Sequence, residues 1–238
     1  MNFVLDTHTH TLASGHAYST IREMAYTAGE KGLKLLGITE HAPKMPGSCH
    51  EFYFRNLRAA DRLMYGVELL FGAELNILDS DGTVDLPDSV LQKLDITIAS
   101  LHIPCMVPGT VLENTKAYIN AIKNPLINII GHPDDRRYPV DYKEIVLAAK
   151  EYHTLIELNN SSLTDGGARV NAKPLDIEIL GLCAEYNVPI VIGSDAHIDT
   201  AVGKHDKAAA LLGEINFPEH LIVNQDTDYL KKYVNRYK

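Results

Sequence analysis

The chain has 238 residues, 45% of them hydrophobic, and a formal net charge of −9. This length can bury a sizeable core and fits one α/β barrel, so we expect a single domain over residues 1–238. The acidic balance disfavours nucleic acid as a partner, because polyanion binding draws on clustered lysine and arginine.

The sequence gives no sign of a membrane-bound or secreted protein. It contains no apolar run of 18 residues and lacks the basic segment and long apolar stretch of a signal peptide. We therefore expect a cytoplasmic protein without a membrane partner. Cys49, Cys105 and Cys183 are odd in number and widely spaced, which favours reduced thiols over disulfides or a cysteine-type zinc site. The sequence is compatible with a homo-oligomer but indicates no assembly surface.

Seven short apolar runs rich in β-branched residues predict strands that alternate with helices. Such alternation is typical of right-handed β-α-β units and a parallel sheet. Residues 42–56, with two prolines and a glycine, predict an irregular loop, and residues 78–87 predict a hairpin with Asp-Gly at its turn. The predicted strands cover residues 3–6, 35–39, 69–75, 95–101, 127–131, 154–160 and 189–195.

Amphipathic patterns between these runs predict the helices. The first starts at Thr20, which has the spacing of a capping box with Glu23, and Gly32 lies just past its end. The predicted helices cover residues 20–31, 110–122, 142–152, 173–186, 203–214 and 226–234.

Potential metal ligands lie at the carboxyl ends of the predicted strands. In DTHTH (6–10), His8 and His10 project from the same face, because side chains at i and i+2 of a strand share a face. The carboxyl ends of the strands in an α/β barrel meet at one mouth, where active sites assemble. The recurrence of histidine at these ends therefore predicts a metal site. The candidate ligands are His8, His10, His16, His41, Glu74, His102, His132, Asp195 and His197.

Histidine and carboxylate ligands without cysteine suit Zn²⁺, and also Mn²⁺ or Fe²⁺. A catalytic zinc ion usually takes three protein ligands and one water, so nine groups predict two or three metal ions, with Glu74 able to bridge two. Two ions about 3.5–4 Å apart can generate hydroxide at neutral pH and stabilise a displacement at phosphorus. We therefore expect phosphate ester hydrolysis, with a small phosphorylated substrate drawn in by the positive ions.

The motifs, taken in order, closely resemble those of the PHP (polymerase and histidinol phosphatase) superfamily, and more narrowly those of its YcdX-like zinc phosphatases. The resemblance runs through nearly the whole chain and implies a distorted seven-stranded (β/α) TIM-like barrel with a trinuclear metal site, usually zinc, that cleaves phosphomonoesters. The motifs that carry it are DTHTHT (6–11), SGHAYST (14–20), GITEHAP (37–43), GAELNI (72–77), GHPD (131–134), ELNNSS (157–162) and GSDAH (193–197).

The resemblance also implies how the ligands divide among three metal ions. The first ion would lie on His8, His10, Glu74 and Asp195. The second would lie on Glu74, His102 and His132. The third would lie on His16, His41 and His197. Among these residues, Glu74, Asp195 and His197 are predicted to take part in catalysis.

Other functions stay open at this point. A histidinol-phosphate phosphatase would hydrolyse a phosphomonoester by the same reaction, with histidinol phosphate as its substrate. A 3′–5′ exonuclease or phosphodiesterase is disfavoured by the lack of a basic stripe and of appended domains. The amidohydrolase class shares HxH on the first strand and a late aspartate, but its metal bridge is often a modified lysine, whereas Glu74 stands here. A purely structural metal-binding module ranks lowest, because open coordination positions serve no purpose in it.

Further polar residues receive structural interpretations. We expect Glu40 to point away from the ligand face and support the structure, and Asp6 either to orient a ligand imidazole or to cap the strand end. Asn159, Asn160 and Ser161 contact substrate or form a turn. His50, His153, His205 and His220 are interpreted as surface or helix residues, and the cysteines as buried filling. Arg136 and Arg137 fit no motif, so a substrate role for either is a guess.

Overall fold

A computed structural model of the chain describes residues 1–164, 166, 169 and 171–238. The described strands, numbered in chain order, are β1 (Leu5–Asp6), β2 (Leu35–His41), β3 (Leu63–Met64), β4 (Val67–Asn76), β5 (Ile96–Ser100), β6 (Ile129–Ile130), β7 (Leu155–Asn159) and β8 (Ile190–Gly193). The α-helices are α1 (Ile21–Glu30), α2 (Glu51–Asn56), α3 (Asp88–Leu91), α4 (Val111–Ile122), α5 (Tyr142–Tyr152), α6 (Ala172–Tyr186), α7 (Asp206–Glu214) and α8 (Thr227–Lys231).

Seven parallel strands form a nearly closed barrel that helices flank. The hydrogen-bonded order is β1-β2-β4-β5-β6-β7-β8, and β3 pairs antiparallel with β4 outside this path. The predicted fold, a distorted seven-stranded α/β barrel, is confirmed. The β3–β4 hairpin escapes sequence prediction because its turn residues are Tyr65 and Gly66, both at positive φ, rather than the usual Asn-Gly or Asp-Gly.

Six helices, α1 and α4 to α8, match predicted ones, α3 has no predicted counterpart, and three segments differ locally. The predicted loop 42–56 ends in α2, whose first turn is capped by the ring of His50. The predicted hairpin 78–87 is a turn closed by one bridge between Ile77 and Val84. The last predicted helix, 226–234, is shortened to α8. No helix in the described part of the chain is long and apolar enough to cross a membrane.

The barrel interior divides into an apolar lower half and a polar upper half. The lower half holds a buried cluster that includes Leu5, Leu70, Ile98 and Val191, and α8 closes it from below through Leu230. A larger apolar cluster lies between the strands and the surrounding helices. This packing fixes the strands, so that the side chains at their carboxyl ends face one another in the upper half.

Asn224 joins the two edges of the sheet, where β8 and β1 have no continuous ladder. Its side-chain amide accepts a hydrogen bond from the Ile192 N–H (2.6 Å) and donates to the carbonyl oxygens of Ile192 (2.8 Å) and Leu5 (3.1 Å). The Asn224 carbonyl accepts from the Val4 N–H at 2.8 Å. One buried amide thus joins the two edges at a level where no ladder links them.

Substituting Asn224 with alanine is expected to lower the free energy of unfolding by at least about 3 kcal/mol, because one N–H and two carbonyl groups lose their buried partner. Chemical denaturation measures this change. Asn56→Ala, at an exposed position without a side-chain capping bond, serves as the control and should change stability little. A loss below about 1 kcal/mol for Asn224→Ala would show that Asn224 does not hold this edge together.

Candidate metal centre

The structure brings all nine predicted ligands to the mouth of the barrel. They lie on β2 and β4 or on the segments that follow β1, β5, β6 and β8, so they converge although they are far apart in sequence. His8, His10 and Glu74 are fully buried, whereas His16 is exposed at the rim. The spacing of the ligand atoms can therefore be compared with what a metal ion requires.

The first group has the spacing of a tetrahedral metal site. The Nε2 atoms of His8 and His10 lie 3.4 and 3.5 Å from Glu74 Oε2 and 3.7 and 3.4 Å from Asp195 Oδ1. Ligand atoms around a tetrahedral zinc ion with bonds of about 2.0–2.2 Å lie about 3.3–3.6 Å apart. The four side chains therefore surround a space that fits one zinc ion.

Two further groups adjoin the first. Glu74 Oε1 lies 3.1 Å from His102 Nε2 and 2.8 Å from His132 Nε2. At the rim, His16 Nε2 lies 3.2 Å from the Nε2 atoms of both His41 and His197. The two oxygens of Glu74 thus face two different groups, which is the arrangement of a bridging carboxylate.

Hydrogen bonds on the far side of four rings direct an Nε2 lone pair into the centre. The Nδ1 atom of His8 lies 2.7 Å from Glu157 Oε1, and that of His102 lies 2.7 Å from Asn76 Oδ1. The Nδ1–H of His197 donates to a backbone carbonyl at 2.9 Å. Because these partners are acceptors, the rings carry their proton on Nδ1, and Nε2 stays free for a metal ion.

The fourth ring, His10, is held through two successive hydrogen bonds. Its Nδ1–H donates to Ser14 Oγ (3.1 Å), which donates to Glu40 Oε2 (2.6 Å). Glu40 also accepts from the Thr11 backbone N–H at 2.9 Å. Glu40 therefore supports the ligand segment from behind, in the structural role expected for it.

Buried polar atoms at the centre lack the hydrogen bonds that burial normally demands. Among the described residues, His8 Nε2, His10 Nε2, His41 Nδ1 and Glu74 Oε2 have no hydrogen-bond partner. Polar atoms left unpaired in this way each cost about 1–3 kcal/mol. His41 Nδ1 and Glu74 Oε2 lie 2.7 Å apart and can pair with each other. Within the described ranges, the Nε2 atoms of His8 and His10 have no such neighbour, and a cation between them and Glu74 Oε2 would supply it, so the donor set fits divalent metal ions.

The electrostatics also favour a cation at this point. Burial lowers the pKa of His8, but the carboxylates of Glu157, Glu74 and Asp195 outweigh burial and hold that pKa well above its ordinary value. Burial disfavours ionised Glu74 and Asp195, yet the surrounding imidazoles keep the pKa of each well below its ordinary range. Burial and neighbouring imidazoles hold the pKa of His10 well below its usual value. Without a metal ion the carboxylates are therefore ionised, His10 is neutral and His8 carries a positive charge, and a bound metal ion would take the place of the His8 Nε2 proton.

Two ligand positions hold strained backbone. His132 has φ +29° and Asp195 has φ +55°, in the left-handed region that residues other than glycine rarely adopt. Such strain costs of order 1–3 kcal/mol and persists where the surrounding structure enforces it, commonly at functional sites. Both residues are strained at the point where their side chains turn into the mouth.

A cavity of about 310 Å³ opens above the ligands. Its wall includes two cationic side chains, Arg137 and Arg169. The rest of the wall includes the apolar side chains of Met45, Ile103 and Pro104 and the polar Ser161. Arg137 forms a bidentate pair with Asp135, with Nε–Oδ1 at 2.9 Å and Nη2–Oδ2 at 2.6 Å. The guessed position of Arg137 thus lies at the cavity, whereas Arg136 is exposed and does not line it.

Arg169 contacts one of the predicted ligands directly. Its Nη2 donates to Asp195 Oδ2 at 2.7 Å and to Asn159 Oδ1 at 3.2 Å. The arginine therefore holds the Asp195 oxygen that faces away from His8 and His10. Nothing in the local sequence SSLTDGGARV (161–170) marks this residue, since it stands among small and polar residues without periodicity.

Several residues around the ligands have roles that the sequence did not single out. Glu157 and Asn76 each orient a ligand ring, and the position of each on its strand could have indicated this role. Glu157 lies in a buried strand on the same face as Leu155 and Asn159, and Asn76 lies two residues after Glu74 on β4. Asn160 forms a helix-capping contact instead of lining the cavity, because its Oδ1 accepts from the N–H groups of Lys207 and Ala208.

One of the four histidines interpreted as surface or helix residues is buried. His205 lies under the first strand, with its Nε2 3.7 Å from Asp6 Oδ1. Asp6 binds backbone rather than a ligand ring, since its carboxylate accepts from the N–H groups of His8 (3.3 Å), Ser194 (3.1 Å) and Gly203 (2.8 Å). The capping alternative for Asp6 therefore describes it better.

Of the three cysteines interpreted as buried filling, only Cys183 is fully buried, whereas Cys49 and Cys105 are partly exposed.

Comparisons with known proteins place the chain in a family. The sequence matches the PHP domain family over residues 6–224. It is 47% identical to a probable phosphatase of Clostridium novyi over 98% of this chain and 95% of that one. It is 50% identical to a probable phosphatase of Caldanaerobacter subterraneus subsp. tengcongensis over 98% of this chain and 92% of that one.

A solved structure shares the fold. It is the histidinol phosphate phosphatase of Lactococcus lactis, crystallised with zinc, L-histidinol and phosphate, and it superposes with a TM-score of 0.60 over 90% of this chain and 94% of that chain at 18% identity. At this identity the likeness concerns the fold alone. The family match over most of the chain and the two relatives near 50% identity show that this chain belongs to the PHP domain family.

Proposed function

We propose that this chain is a phosphatase that cleaves small phosphomonoesters and binds three divalent metal ions, most suitably zinc, at the mouth of its barrel. The observation that carries the proposal is the convergence of nine nitrogen and oxygen ligands, the first group at tetrahedral spacing, with ring lone pairs directed inward. The relatives named as probable phosphatases, which this chain matches over nearly their whole length, support the reaction class.

The proposed ligand sets are those that the family resemblance implies. His8, His10, Glu74 and Asp195 would hold the first ion, and Glu74 would bridge to a second on His102 and His132. His16, His41 and His197 would hold the third. When bound, such ions lower the pKa of a coordinated water to near 7 and neutralise phosphoryl oxygens.

The remaining residues of the mouth bind and orient the ester. Arg137 is half exposed, and its pairing with Asp135 fixes the guanidinium beside the cavity, where it attracts a phosphate dianion. Met45, Ile103 and Pro104 offer carbon surface to the leaving group. The cavity of about 310 Å³ suits a small ester rather than a polymer.

The charge of the cavity bears on the histidinol-phosphate alternative. Histidinol carries a primary ammonium group, which a specific site would pair with a carboxylate. The only carboxylates among the described residues lining the cavity are Glu74 and Asp195, both proposed metal ligands, and the cationic side chains that line it are Arg137 and Arg169. This lining favours neutral or anionic leaving groups over histidinol.

Purified protein, prepared without chelators, is expected to contain about three metal equivalents per chain and to hydrolyse small phosphomonoesters faster than histidinol phosphate. Elemental analysis and phosphate release from a panel of substrates measure both quantities. A labelled single-stranded oligonucleotide tests the exonuclease alternative in the same preparation. At most one metal equivalent, or cleavage of the oligonucleotide in preference to every monoester, would contradict the proposal.

A further inference from the structure

We infer that Glu157 is a positioning residue that controls two proposed metal ligands at once, one through its ring and one through its backbone. Its carboxylate accepts from His8 Nδ1 through Oε1 (2.7 Å) and from the His132 N–H through Oε2 (2.8 Å). This inference rests on the proposed function, because the two histidines belong to the first and second proposed metal sites.

Glu157 lies in the centre of the barrel, below the ligands. Its exposed fraction is 2%. It lies in the middle of β7, and its side chain is on the same face of the strand as the apolar Leu155 and the polar Asn159. A buried carboxylate is costly unless it is fully hydrogen-bonded. Glu157 meets this condition, since Oε2 also accepts from Asn159 Nδ2 at 3.2 Å.

A glycine on the neighbouring strand leaves the space that the carboxylate occupies. A Cβ atom on Gly193 of β8 would lie 2.0 Å from Glu157 Oε1 and 2.7 Å from the Cβ atom of His8. Gly193 does not have the positive φ that would itself explain a glycine. The missing side chain therefore allows the close approach of the Glu157 carboxylate to the His8 ring.

The hydrogen bonds have separate consequences for the two ligands. The bond to His8 keeps the ring proton on Nδ1, so that the Nε2 lone pair faces Glu74 and Asp195. The bond to the His132 N–H holds a backbone that has φ +29° and directs its ring towards Glu74. Asn159 extends the arrangement, because its Nδ2 also donates to Asp195 Oδ2 at 3.3 Å.

A glutamine side chain in place of Glu157 cannot reproduce this pattern, although it has nearly the same shape. All three partners of Glu157 are donors, so the site needs acceptors on both oxygens. With its amide nitrogen at the position of Oε2, the glutamine would place an N–H donor facing the His132 N–H, which is also a donor. With the nitrogen at the position of Oε1, it would face His8 Nδ1 and drive the ring proton to Nε2, where the proton blocks the metal lone pair.

The test is zinc titration of Glu157→Gln against a chromophoric chelator of known affinity. We expect two of the three zinc ions to bind about 10- to 100-fold more weakly, and the ion on His16, His41 and His197 to keep its affinity. Asp95→Asn is the matched control, because Asp95 is also a buried carboxylate but pairs with Arg62 and the Phe71 N–H away from the ligands. It should leave all three affinities within about threefold of wild type.

The unfolding midpoint of the metal-free proteins separates a positioning role from a general structural one. The midpoint for Glu157→Gln should change no more than that for Asp95→Asn. Unchanged zinc affinities in Glu157→Gln, or equal weakening of all three, would overturn the inference.

A measurement on the wild-type protein covers the case in which Glu157→Gln fails to fold. Nitrogen-15 NMR of the zinc-loaded chain should show the His8 ring protonated at Nδ1 and metal-bound at Nε2, and a ring bound through Nδ1 would overturn the inference. If wild type binds at most one zinc ion, the proposed function fails instead. The same spectra then still decide the role of Glu157, because they show whether the His8 ring proton lies on Nδ1 or on Nε2.

Discussion

Replacing Glu74 with glutamine is expected to lower kcat/KM for a small phosphomonoester by roughly a thousandfold, which corresponds to about 4 kcal/mol. The two Glu74 oxygens face separate imidazole groups, with Oε1 2.8 Å from His132 Nε2 and Oε2 3.4 Å from His8 Nε2. Glutamine removes the negative charge and replaces one of these oxygens with a donor. One proposed metal site therefore loses a ligand, and the bridge between two sites is lost.

Steady-state kinetics with elemental analysis of the same samples measure the effect. Glu151→Gln makes the same chemical change at an exposed position near the end of α5, away from the mouth of the barrel, and should keep wild-type activity. Near-normal turnover by Glu74→Gln would refute the bridging role, whereas an unfolded protein by circular dichroism would call for Glu74→Asp in its place.

Removing the metal ions is expected to abolish phosphatase activity and to lower the melting temperature by at least about 10 °C. A ligand present at about a hundred times its Kd stabilises the folded state by about 2.7 kcal/mol per site. For a chain of this size, each kcal/mol corresponds to about 2–4 °C. The unpartnered nitrogen and oxygen atoms of His8, His10 and Glu74 supply the physical reason, since they are left buried without partners when the ions are withdrawn.

Differential scanning fluorimetry before and after dialysis against a chelator tests this expectation. Zinc added back should restore both the melting temperature and the activity, and a sample dialysed against chelator saturated with zinc controls for effects of the chelator itself. A melting temperature that stays the same on dialysis, in a sample shown to have lost its metal, would mean that these side chains bind no stabilising ion.

The positions of the candidate ligands could be predicted because they depend on simple periodicities. Parallel strands end at one mouth, so histidines and carboxylates just after apolar runs had to meet, and the distances around Glu74 agree with that expectation. The capping box of Thr20 and Glu23 is local in sequence and is present in the structure. Whether the nine residues bind metal remains a prediction.

The supporting residues were harder to find, because their partners are distant in sequence. Glu157 contacts His8 across 149 positions, and Arg169 contacts Asp195 from a segment with no periodicity. His205 has a surface-type sequence context, yet it is buried because the segment before α7 folds back under β1 towards Asp6. No local pattern encodes such contacts; the tertiary packing creates them.

The junction between β1 and β8, which Asn224 joins, has a consequence for synthesis in the cell. His8 and His10 follow β1 on one side of this junction, and Asp195 and His197 follow β8 on the other. The first proposed ion can therefore reach its full ligand set only after residue 195 has left the ribosome, although its first two ligands emerge almost at once. Nascent chains and fragments that lack β8 would offer this ion His8, His10 and Glu74 without Asp195, so binding at full affinity would require the complete barrel.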